Sequence, residues 1–172
     1  MRSLTLDEWE PSWIKLLSLI GNKISNQIFE EVKDESLERI TALSSRKSRE
    51  EWIRWKYVDK RFVRKLGRST CANAISDTHA DSGSTPEESL NESLFRSTCE
   101  GDVASVSRFL AAGADVNWQN PAYNGASCLH QAVQGSAVEV SELLLLNGAR
   151  VNLRDYEGRT AMHVAIQKGI RG

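Results

Sequence analysis

The 172-residue chain contains only three cysteines, three prolines and three histidines, and each shortage excludes a class of structure. Cys71, Cys99 and Cys128 are odd in number and unrelated in spacing, which argues against a disulfide framework and fits a reducing compartment. The close C-x2-C pairs of zinc modules are missing. Cys71 and His79 sit in a polar stretch with no second pair, so no stoichiometric zinc is expected. Long apolar runs are missing as well, since Leu143–Leu146 falls far below the roughly 18 residues of a membrane span. Asp7, Glu8, Glu10 and Pro11 stand where a secretory signal would need an apolar core.

The net charge of −1 conceals an asymmetry: between Arg46 and Arg68 ten Lys/Arg oppose three acids, a local +7 that the remainder offsets with −8. Wound at roughly 100° per residue, Trp52, Trp55, Val58, Phe62, Val63 and Leu66 share one side, which predicts a helix over Ser48–Leu66. Arg54, Lys60, Arg61, Arg64 and Lys65 take the other side. This basic face has three readings: a solvated surface over an aromatic core, contact with an anionic lipid or acidic protein surface, and nucleic-acid binding. No RNP, KH or C2H2 pattern supports the last, and no nucleic-acid partner is expected.

Upstream, Leu4 and Leu6 alternate with polar residues as an extended entry. Asp7 or Glu10 ahead of Pro11 marks a helix start. Trp13, Leu16, Leu17 and Ile20 then follow the i, i+3, i+4, i+7 spacing of a buried face. Gly21-Asn22 ends this helix, a second short one with Ile24 and Ile28 runs to about Glu31, and a polar loop continues to about Arg46.

The C-terminal half repeats itself. Ser127-Cys128-Leu129-His130-Gln131-Ala132 and Thr160-Ala161-Met162-His163-Val164-Ala165 lie 33 residues apart, and each resembles the ankyrin signature T-P-L-H-x-A. Gly113-Ala114-Asp115-Val116-Asn117 and Gly148-Ala149-Arg150-Val151-Asn152 close the second helix of successive units. Thr85-Pro86-Glu87-Glu88 forms a capping box that opens the first unit. In that unit Phe95 stands at the position of His130 and His163, as in an atypical capping repeat, and the spacing from Leu94 to Leu129 is 35 because Trp118–Ala126 carries two extra residues. Both repeat histidines read as structural. Residues 85–172 are thus expected to form two full units and a truncated third, stopping at Gly172 directly after its first helix. Stacked repeats offer a concave, loop-fringed surface, so Trp118, Gln119, Arg154 and Tyr156 are candidate contacts for a protein partner. Residues 67–84, rich in Ser, Thr, Asp and Gly, read as a flexible linker.

Read with the repeats, residues 2–66 become recognisable. Arg2-Ser3-Leu4-Thr5-Leu6-Asp7-Glu8-Trp9-Glu10-Pro11, then Gly21-Asn22 and Asn26, then Arg49-Glu50 and Ile53 through Lys56-Tyr57-Val58 to Phe62, resemble the C-terminal half of the GTPase-activating domain for Arf-type small GTPases. The order is similar to the class with coiled-coil, pleckstrin-homology and ankyrin regions. The resemblance implies a mainly α fold, a truncated Arf-GAP helical segment plus an ankyrin-repeat helical solenoid. It implies GTPase activation, an enzyme-regulating rather than enzymatic role, with an Arf-type GTPase as partner and Arg2, Asp7 and Trp9 as candidate contacts. It implies a cytoplasmic location, peripheral at endosomal or plasma membranes. In this family a four-cysteine zinc module and an arginine finger precede the R-S-L-x-L-D-x-W motif, whereas only Met1 precedes Arg2 here. The expectation is therefore a fragment with no catalytic residue, no metal ligand and no cofactor, and with negligible activation of its own. The alternative is an ankyrin-based adaptor. Without a zinc half to pack on, Trp9, Trp13, Trp52 and Trp55 are expected to be exposed and the N-terminal segment partly molten.

Overall fold

The computed structural model describes residues 9–32, 40–41, 43–64 and 86–169, with side chains of 86–89 excepted. Arg2, Asp7, Lys65, Cys71, His79, the Thr85 cap and the linker over 67–84 lie outside them. The described residues are mainly helical, with one pair of two-residue strands.

Helix α1, Pro11–Phe29, starts where proline costs no hydrogen bond: Glu10 is its N-cap, and the Glu10 carbonyl accepts from Trp13 and Ile14 N–H at 3.0 and 3.1 Å. Gly21 divides it. At φ 49°, ψ 170° this residue is non-helical, so the two predicted short helices meet there at a kink. Helix α2, Arg46–Ile53, is capped by Ser45, whose Oγ accepts from Ser48 N–H at 3.1 Å.

The helix predicted to continue to Leu66 does not. A π-helical turn, Arg54–Val58, follows α2, closed by Asp59 N–H on Arg54 O at 2.9 Å, and Lys60 then takes φ 48°. The chain reverses, with Arg61 N–H on Trp55 O at 2.9 Å, and this delivers Phe62 and Val63 to buried positions. A straight helix would have carried both away from α1. The turn instead lets Val32 N–H reach Phe62 O at 2.9 Å.

Two helical pairs form the repeats: α3 (Pro86–Glu100) with α4 (Val103–Ala112), and α5 (Cys128–Gly135) with α6 (Val138–Leu146). Helix α7 (Ala161–Gln167) opens a third unit. Gly113 and Gly148 adopt φ 103° and 87° where the paired helices end, as the repeated G-A-x-V-N motif requires. Between α4 and α5, strands β1 (Gln119–Asn120) and β2 (Ala126–Ser127) pair antiparallel around a 3-10 turn, Pro121–Tyr123, which houses the two extra residues.

The N-terminal segment packs directly on the repeats. Helix α1 lies across α4 and α6, and Leu16 enters one core with Leu94, Val106, Leu110, Val140 and Leu144. A second cluster joins Ile28 and Val63 to Ala111. Polar contacts edge the seam: Trp13 Nε1 donates to Glu142 Oε2 at 3.2 Å, Lys15 pairs with Glu139, and Lys60 Nζ donates to Leu110 O at 3.3 Å, at the carboxyl end of α4. The expected exposed tryptophans are therefore corrected: Trp9, Trp13, Trp52 and Trp55 are all half-buried, Trp13 against Glu142 of the repeats, Trp52 on the Phe62 ring and Trp55 under Arg61. Leu17, assigned to the buried face, is instead 54 % exposed, since α1 meets the repeats along the Trp13, Leu16 and Ile20 line.

Candidate interaction site

The finger loops hold two different kinds of residue. Gln119 is a bracket, its Nε2 donating to Gly125 O at 2.7 Å and to Arg154 O of the next finger at 2.6 Å. Trp118 is half-buried and meets the Phe95 ring edge-on at 6.3 Å. Both remain partly open to solvent while serving these structural bonds. Arg154 and Tyr156 do face solvent, although one face of Tyr156 lies against Gly125, where an added Cβ would come within 2.4 Å of the ring. Gly125 also has φ 69°, so both space and backbone demand glycine.

The repeat histidines are consumed by the architecture. His130 Nδ1 accepts from Ser127 N–H at 3.2 Å and lies 2.8 Å from its hydroxyl, while Nε2 meets Arg159 O of the next finger at 3.0 Å. The tautomer with its proton on Nε2 satisfies all three. His163 makes the corresponding bonds to Thr160.

Phe95 cannot make these bonds, and its ring packs against Tyr123 at 5.0 Å. With the extra turn of the finger, this substitution leaves a cleft of about 430 Å³ lined by Glu92, Phe95, Arg96, Cys99, Asn120 and Tyr123. Sequence reasoning assigned no role to Tyr123, Arg96 or Glu92. The signals that could have found them are the missing histidine and the two-residue excess in the loop.

The basic residues do not form one helix face, because the turn at Lys60 scatters them. Arg54 approaches Asp59 at 3.9 Å, Arg61 stacks over Trp55 at 5.5 Å, Arg64 approaches Glu31 at 3.7 Å, and Lys60 is spent on Leu110 O. Lys56 faces inward: its Nζ donates to Asn26 Oδ1 at 2.7 Å and Glu30 Oε1 at 2.6 Å, 5.0 Å from the Tyr57 ring centroid.

No group of three His, Cys, Asp or Glu suited to a metal occurs among the described residues. The donors also have the wrong chemistry. Burial pushes the Cys128 thiol up to about 12, away from the thiolate that zinc requires, and both nitrogens of His130 are already engaged.

The same two regions are found by comparison with known proteins. Residues 1–66 match the family model described as a putative GTPase activating protein for Arf, and residues 94–171 match that of ankyrin repeats in three copies. The whole chain aligns with Arf-GAP with coiled-coil, ANK repeat and PH domain-containing protein 2 of Rattus norvegicus, 31 % identical over 230 residues and covering 30 % of that protein. The chain thus carries an Arf-GAP segment followed by ankyrin repeats, in the order of these relatives. The Homo sapiens form of the same relative is 30 % identical over 238 residues, 31 % of its length. Human Arf-GAP with coiled-coil, ANK repeat and PH domain-containing protein 3 is 48 % identical over 66 residues, which cover 38 % of the chain and 8 % of that protein. The chain spans roughly 30 % of the length of the family members that align with all of it. Activation of Arf GTPases is thus what the matched model's description and the relatives' names state of those proteins.

Proposed function

We propose that this chain acts in the regulation of Arf-type GTPases as a docking unit, and that these 172 residues alone accelerate GTP hydrolysis little. The observation that carries this reading is the engagement of Arg54, Arg61 and Arg64 in the Arf-GAP segment. An arginine finger must reach the transferring phosphoryl from a rigid loop, and it contributes on the order of 10³ to 10⁵ in rate. Arg54, Arg61 and Arg64 are instead held by Asp59, Trp55 and Glu31 on one helical turn and its return. Among the described residues Cys128 and His130 do not fit zinc, so no metal-braced loop is assigned to them. Trp9 is the one described residue of the proposed GTPase contact, Arg2 and Asp7 lying outside the described residues.

A second role, as an ankyrin-based adaptor, draws support from the cleft between α3 and the first finger and from the exposed Arg154 and Tyr156. The cation-rich stretch after Ser45 supports peripheral contact with an anionic surface, and with it a cytoplasmic location at endosomal or plasma membranes.

Single-turnover GTP hydrolysis by an Arf-type GTPase tests the main reading. The 172-residue chain is expected to give less than about tenfold acceleration, and a chain extended ahead of Arg2 by a four-cysteine module about 10³. A large acceleration by the 172 residues that disappears in Arg2→Ala would overturn it.

A further inference from the structure

We propose that the outer face of α2 and its π-helical turn, with Ile53, Tyr57 and Val58 beside Lys47, Arg49 and Arg54, seats the chain on an anionic lipid bilayer. The proposal rests on the anionic-surface reading above and narrows it to one face and to a mode that is both apolar and cationic.

The two sides of this helix are partitioned. Trp52, Trp55 and Lys56 point inward, tied by the Phe62 ring 5.0 Å from Trp52 and by the bonds from Lys56 to Asn26 and Glu30. No residue of α2 itself is buried. Arg46, Arg49 and Ile53 recur at i, i+3 and i+7 of α2 and share one side, with Tyr57 at its edge, where its ring also meets Phe29 of α1 at 5.2 Å. Their apolar members are open to solvent: Ile53 is 55 % exposed, Tyr57 46 % and the adjoining Val58 70 %, and Leu43, just ahead of the Ser45 cap, is 96 % exposed. Over residues 43–64 eight Lys/Arg oppose three acids, and Lys47 and Arg49 have no acid partner among the described residues.

Charge complementarity selects the occupant. Aliphatic tips raised on a cationic helix, with a tyrosine at their edge, suit a plane of anionic headgroups over acyl chains, where the tips gain apolar burial and the cations gain attraction. The face is the convex side of a helix. The concave surface suited to a peptide lies elsewhere, between α3 and the first finger. The lock at Lys56 holds the face in place, so binding requires no refolding.

Sedimentation of the 172-residue chain with vesicles tests this. Phosphatidylcholine vesicles with a minority of phosphatidylserine should carry the chain down, pure phosphatidylcholine should not, and salt should weaken binding. Arg49→Ala should weaken it about fivefold, as expected for one cation at the surface. Joint Ile53→Asp and Val58→Asp should weaken it by about tenfold or more. Val58→Ser should act in the same direction with a smaller effect, keeping the test in force if the aspartates disturb the turn. Met162→Asp, at an α7 position 67 % exposed, should leave binding unchanged. Failure of the parent chain to sediment would overturn both this proposal and the anionic-surface reading. Loss with Arg49→Ala but parental binding by the Ile53 and Val58 variants would overturn this face alone. Equal loss with Met162→Asp would overturn it too, by showing that any exposed apolar residue suffices.

Discussion

Lys56 is only 7 % exposed, yet it carries a charge, and it does so because Glu30 and Asn26 on α1 receive its ammonium. Burial by itself would lower its pKa; the bonds to Glu30 and Tyr57 outweigh that, and the net displacement is upward from 10.5. A group raised in the folded state contributes its stability below the unfolded value and loses it as pH rises through the folded one. Lys56→Met is therefore expected to cost about 3 kcal/mol at neutral pH, because Glu30 keeps a partly buried charge without its partner. The parent should then lose stability above about pH 10.5 relative to the variant. Urea unfolding across a pH series checks both, and identical alkaline behaviour of the two chains would deny Lys56 this role. The position was partly legible, since Lys56 follows Trp52 by four residues and so belongs to the aromatic side of the helix. Its acceptors were not, because nothing in the local pattern says that α1 supplies them.

At the scale of elements, the legible features were those written in residues with restricted backbones. Pro11 opens α1, Gly21 interrupts it, and Gly113 and Gly148 end the paired repeat helices, each as its conformational preference requires. The overshoot to Leu66 is a difference of path. Phe62 and Val63 do reach buried positions, but through a π-turn and a reversal, while Val58, on the predicted apolar side, ends 70 % exposed. At Gly21 the φ of 49° matters and space does not, since no atom lies within 4 Å of an added Cβ. Gly21→Ala should thus destabilise by about 1–3 kcal/mol through backbone strain alone. Thermal or urea unfolding measures it, and a neutral or stabilising outcome would show that the kink relaxes into a continuous helix.

The whole molecule is the scale at which sequence reasoning reached least far. Periodicity identifies the apolar side of α1 but not its partner, and the family resemblance points to a zinc half rather than to the repeats. Leu16 instead completes the core of the first two repeats, and Ile28 with Val63 covers Ala111. The repeat signature and its departures at Phe95 and the first finger were legible. The cleft that they create depends on how the Tyr123 and Phe95 rings settle, which spacing does not encode.

The central claim is that the Arf-GAP segment and the ankyrin repeats share one core, and native-state amide exchange tests it most directly. If the claim holds, amides of α1 around Leu16 exchange with the same opening free energy as those of α4 and α6, and Leu16→Ala lowers protection in all three helices together, by about 2–4 kcal/mol. Rapid exchange in α1 beside undiminished protection in α4 and α6, unchanged by Leu16→Ala, would contradict it.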